Sequence, residues 1–171
     1  MTMLDELHAD VDARAAALAA HHAARLVCRR GCSACCVDDI TVFAVEAEKI
    51  RAGAAELLSS APPHPPGRCA FLGGEGECRI YELRPYVCRT QGLPLRWLDE
   101  EAEAEYRDIC SLNDEGAPLE TLAPEECWTI GETEERLARL QPDGKRVALR
   151  ELFASELQVA DVAQHPRLVV I

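Results

Sequence analysis

The stretch Cys28-Arg29-Arg30-Gly31-Cys32-Ser33-Ala34-Cys35-Cys36 puts four thiols into nine residues, and the reading of the whole chain turns on it. Five more cysteines follow at Cys69, Cys78, Cys88, Cys110 and Cys127, making nine in 171 residues. Cys28, Cys32 and either Cys35 or Cys36 stand at i, i+4 and i+7 or i+8, so a short helix would aim them one way. Gly31 loosens such a helix, and a knuckle-like turn around Cys32 to Cys35 serves equally well. Adjacent Cys35 and Cys36 leave the backbone in different directions. One therefore serves a first centre while its neighbour serves a second or points into the core. Thiolate ligates both zinc and iron–sulfur centres, and an all-cysteine site of either kind usually takes four. The chain reads as a metal-binding protein with one or two centres.

Composition narrows the rest. With 30 acidic and 18 basic residues the formal charge is −12, which disfavours nucleic acid and anionic membrane surfaces as partners. Met1 to Glu6 supplies neither the basic nor the apolar region of a secretory signal. No apolar run approaches the roughly 20 residues that span a bilayer. A cytoplasmic location is expected, where thiols stay reduced and clustered cysteines read as ligands rather than disulfides. A thioredoxin-like redox pair at Cys32-Ser33-Ala34-Cys35 would need a strand–helix context that the pattern lacks.

Outward from the cluster, Leu4, Leu7, Val11, Ala15, Leu18, His22 and Leu26 form the stripe of an amphipathic helix running to about Val27. His21 and His22 lie close enough to the cluster to be ligands, but His22 falls on that stripe, where a histidine is usually a packing residue. Ile40 to Phe43 reads as extended and Val45 to Leu58 as a second helix. The prolines from Pro62 to Pro66 form a stiff connector within one domain. Cys69 to Leu72 and Glu77 to Tyr81 read as a hairpin around a glycine-rich loop. With Leu72 opposite Glu77, Cys69 and Cys78 share a face, and a one-residue slip separates them. Arg84-Pro85 starts a turn. A helix is expected over Asp99 to Arg107, a short turn at Pro124, a helix over Glu132 to Leu140, and a last helix over Lys145 to Leu157. Tyr81 and Trp97 read as core or interface aromatics. Arg29, Arg30, Arg68, Arg79, Arg84 and Arg89 flank the thiols, where they either lower thiol pKa or pair with surface carboxylates.

The run Cys28 to Cys36 resembles the signature of the YkgJ-type cysteine-cluster proteins, the CxxCxxCC putative zinc- or iron-chelating domain. The resemblance continues through Cys69-Ala70-Phe71-Leu72, Cys78-Arg79-Ile80-Tyr81, Arg84-Pro85 and Cys88-Arg89. It extends to Gly92-Leu93-Pro94-Leu95 and Cys110-Ser111-Leu112-Asn113. One departure stands out: three residues separate Cys28 from Cys32 where the family name implies two. The resemblance implies Cys28, Cys32, Cys35, Cys36, Cys69, Cys78, Cys88 and Cys110 as candidate metal ligands, with Cys127 a buried or spare thiol. Members of that family are often labelled iron–sulfur oxidoreductases, and a similar domain occurs in flagellin lysine methylases.

The expected architecture is mainly α with one or two short β-hairpins, a small α+β domain over 1–171 organised around a cysteine-ligated centre. Residues 27–113 would form the metal-binding core, 1–26 the N-terminal amphipathic helix and 114–171 a C-terminal helical extension. The cofactor would be an iron–sulfur cluster or zinc. Family labels, and the lack of a glycine after Cys35, lean towards iron. The role is structural or metal handling, with an iron–sulfur oxidoreductase or an accessory redox partner of a modifying enzyme as the alternative. No catalytic residue emerges, and a protein partner is left open.

Overall fold

A computed structural model describes residues 1–29 and 31–153. Helix α1, Met3–His21, starts at a capping box: Asp5 N–H donates to the Thr2 hydroxyl at 3.1 Å while Thr2 N–H donates to the Asp5 carboxylate at 2.8 Å. Leu4, Leu7, Val11, Ala15 and Leu18 form its buried stripe. The helix stops short of the expected Val27. His22 Nε2–H donates to the Glu126 carbonyl at 2.7 Å, and the Arg25 guanidinium donates to the carbonyls of Asn113, Glu115 and Ala117. Those distant acceptors turn the chain away from the helix axis. His22, only 6% exposed, is a packing residue as its stripe position implied.

Strand β1 (Thr41–Phe43) leads into α2 (Ala44–Gly53) and α3 (Ala55–Ser60), two helices where one continuous helix was expected. A short helix, α4 (Tyr86–Arg89), follows Pro85, which stands in extended backbone at the N-cap, one residue before the first helical position that proline favours. The segment Asp99 to Arg107 is not a helix. It belongs to an antiparallel hairpin of β2 (Leu95–Asp99) and β3 (Ala104–Asp108), in register Trp97 to Tyr106. Its residues are good helix formers, yet local propensity loses to cross-strand contacts. The Trp97 and Tyr106 rings stack at 5.5 Å, and Arg96 donates to Glu105 at 2.9 Å. At the bend, the Asp99 carboxylate accepts from the Glu101 and Ala102 amides. Strand β4 (Trp128–Thr129) then adds to β2 in parallel.

Helix α5 (Glu132–Leu140) lies where its periodicity put it, and β5 (Arg146–Ala148) pairs antiparallel with β1, Val42 facing Val147. A helix beginning at Lys145 is therefore corrected to a strand, because Val147 and Leu149 complete the sheet and core around β1. Helical backbone begins only at Glu151, and the remainder of the expected helix, from 154, lies outside the described residues. The result is a small α+β fold with two buried clusters. One joins α1, α5, Tyr86 and Trp128; the other joins α2, Phe71, Ile80, Val147, Leu149 and Phe153. Among the described residues no helix is long and apolar enough to cross a membrane.

Candidate metal centre

Four separate segments deliver thiols to one side of the second buried cluster. The first, 26–40, contains no regular helix; it turns at Cys32 N–H to Arg29 carbonyl (2.9 Å) and at Cys36 N–H to Ser33 carbonyl (3.0 Å). Of the two geometries open to this stretch, the turn is the one adopted. Arg68 braces it by donating to the Ser33 carbonyl and hydroxyl at 2.6 and 2.8 Å. Arg150 braces the next layer: its guanidinium donates to Asp38 at 2.6 Å and to the carbonyls of His64 and Arg68, both at 2.8 Å. The proline-rich connector is thereby held against the thiol loop.

The glycine-rich loop departs from its expected register by one residue, with Leu72 opposite Cys78. On an ideal hairpin that slip would send Cys69 and Cys78 to opposite faces. It does not, because Cys69 to Leu72 is a turn, closed by Leu72 N–H to the Cys69 carbonyl at 3.0 Å, instead of a strand. Both sulfurs face one cavity. Helix α4 brings Cys88 to the same space. Its first amide, at Tyr86, donates at 2.7 Å to Glu46, a carboxyl 3% exposed that also accepts from His8 Nε2 at 3.0 Å.

The cavity, about 600 Å³, is lined by Cys28, Cys32, Cys35, Cys36, Cys69, Cys78 and Cys88, with Ile40, Phe71, Ile80 and Leu149 as its apolar wall. Cys110 does not line it; it stands at the start of the 3-10 turn Ser111–Asn113, half-buried. Cys127 is buried elsewhere, beside Arg107. Among the described residues no three His, Cys, Asp or Glu side chains stand close enough together to hold an ion. A predominantly thiol donor set nonetheless suits zinc or iron and is poorly matched to magnesium or calcium.

The thiols are electrostatically unequal. Cys35 is held down at about 6, first because the Cys36 thiol donates a hydrogen bond to it, then by the Arg84 and Arg68 charges. Cys36 is pushed up by the same bond and by burial. Burial raises Cys69 and Cys78 and pushes Cys88 up to about 12. The flanking arginines divide between the two roles open to them. Arg68 and Arg84 act on the thiols, whereas Arg89 pairs with Asp12. Of the two places open to Tyr81, core and interface, the core is excluded: it is 57% exposed, lines the cavity and carries the Arg84 guanidinium 3.7 Å above its ring.

One junction escaped the sequence reading. Asn113, fully buried, donates from Nδ2 to the Cys28 sulfur at 3.3 Å and to the Gly92 carbonyl at 2.8 Å, and accepts from Val27 N–H at 2.9 Å. Gly92 has φ +90°, and a Cβ there would sit 2.6 Å from the Cys28 sulfur. Asparagine and glycine close behind cysteines were the only sequence signal for this contact.

A family model described as CxxCxxCC, putative zinc- or iron-chelating domain, matches residues 27–111. No curated protein and no solved structure matches the chain.

Proposed function

The chain belongs to the CxxCxxCC family through residues 27–111, and from that premise we propose that its thiol-lined cavity holds zinc or an iron–sulfur cluster in one or two centres. The ligands are drawn from Cys28, Cys32, Cys35, Cys36, Cys69, Cys78 and Cys88, with Cys110 a candidate at the margin. The role is structural or metal handling. One observation carries this reading: seven thiols from four segments of the chain line a single cavity. Chance burial of cysteines would not collect them on one side of the core. When bound, the metal would supply cross-links between these segments, and ligation would contribute to folding free energy.

The family description names both zinc and iron, and soft thiolates serve either. Seven thiols exceed the four that close a single site of either kind, which favours a second centre. The iron named in the family description supports a second reading, an iron–sulfur redox partner or oxidoreductase. Elemental analysis and visible absorption of anaerobically purified protein test both readings. Iron with acid-labile sulfide and a broad charge-transfer band would support the cluster. A colourless protein with stoichiometric zinc would remove electron transfer. Protein that takes up neither metal would overturn the proposal.

A further inference from the structure

We infer that Asn113 is a positioning residue of this centre: its side-chain N–H holds the Cys28 sulfur and sets how strongly that sulfur donates to bound metal. The inference rests on the metal-binding reading above. Cys28 is the most exposed of the cavity thiols, and its own backbone lies in irregular loop. Left to itself, such a side chain would sample several rotamers and its sulfur would be solvated. Instead it is fixed from two sides. Gly92 offers bare backbone, where a methyl group would come within 2.6 Å of the sulfur. Asn113 offers an amide N–H at 3.3 Å.

The donor is itself rigid. Its other interactions, to the Gly92 carbonyl and from Val27 N–H, occupy both ends of the amide and fix which end carries the nitrogen. Val27 immediately precedes Cys28, so a single side chain aligns both the backbone and the sulfur of that ligand. Asn113 lies two residues beyond the family match. An N–H donated to a metal-bound thiolate withdraws electron density from sulfur, which tunes affinity and reduction potential.

Cobalt(II) titration of the metal-free protein tests this, read by the sulfur-to-cobalt charge-transfer band. The proteins compared are wild type, Asn113→Asp, Asn113→Ser, Cys28→Ser and the Asn113→Ser/Cys28→Ser double variant. Asp keeps an acceptor for Val27 N–H and removes the donor to sulfur. Removing the donor should move the band to lower energy and weaken cobalt binding by about 10-fold or more. In the Cys28→Ser background the same Asn113 change should have no further effect on cobalt affinity. A band unmoved by either Asn113 variant, or an equal affinity loss with and without Cys28, assigns Asn113 a purely structural role and overturns the inference. Absence of any thiolate band in wild type sinks the metal-binding reading itself, and the inference with it.

Discussion

Glu46→Ala should cost this protein about 4 kcal/mol, although Glu46 touches no cysteine. The same carboxyl oxygen accepts the Tyr86 amide at 2.7 Å and His8 Nε2–H at 3.0 Å, and all three groups are buried. Truncation orphans both donors, each at about 1–3 kcal/mol. Their sum agrees with the roughly 3–5 kcal/mol lost when one partner of a buried pair is removed. Against a typical total of about 5–15 kcal/mol the loss is large. Glu46→Gln keeps an acceptor for Tyr86 and should lose only about 1–2 kcal/mol. Urea unfolding followed by tryptophan fluorescence measures both, since Trp128 is buried and donates to the Tyr86 hydroxyl at 2.9 Å. Because Tyr86 opens the helix that carries Cys88, Glu46→Ala should also lower metal content. Equal stability of Glu46→Ala and Glu46→Gln, or a loss below about 1 kcal/mol for Ala, would refute the claim that this acceptor anchors α4.

Cys32→Ser and Cys35→Ser should each lower metal stoichiometry and thermal midpoint; unchanged stoichiometry by elemental analysis in both would count against them as ligands. Gly92→Ala should destabilise by about 2 kcal/mol or more, since an L-residue at positive φ costs roughly 1–2 kcal/mol before the displaced Cys28 sulfur is counted. Chemical denaturation checks the value, and a neutral substitution would mean that the loop shifts freely. The Arg96 and Arg107 guanidiniums hold Glu105 below the ordinary carboxylate range. A depressed folded-state pKa gives stability that is present above the unfolded-state value and lost as pH falls through the folded one. Acid titration of hairpin order, read through the Trp97–Tyr106 exciton signal, should therefore show weakening at acid pH in wild type and a flatter profile in Glu105→Gln.

Much of the fold could be read from one-dimensional pattern wherever a single local force dominated. The apolar stripe of α1 and the charged, strongly amphipathic α5 meet no competitor, and both appear. Asp99 to Arg107 fails because helix-forming composition competes with a tryptophan–tyrosine stack that only pairing reveals. The cysteines of 28–36, with 69, 78 and 88, line one cavity. How they meet was harder to foresee, since turns at Cys32–Cys36 and Cys69–Leu72 replace regular elements. Cys110 matches the family pattern and stands outside the cavity lining. The role of Asn113 was illegible for another reason: although Gly92 and Asn113 lie in the segments that carry the resemblance, its partners Cys28 and Gly92 lie 85 and 21 residues away.

Arg150 has a consequence for how the molecule is made. The carboxylate it grips at Asp38 lies 112 residues earlier in the chain. During synthesis from the N-terminus, Cys32, Cys35 and Cys36 leave the ribosome long before the guanidinium that steadies their loop has been polymerised. For that interval the loop has Arg68 against Ser33 but lacks the second grip at Asp38, so its sulfurs are less firmly placed. The last hold on the thiol loop is thus set only when Arg150 has been made.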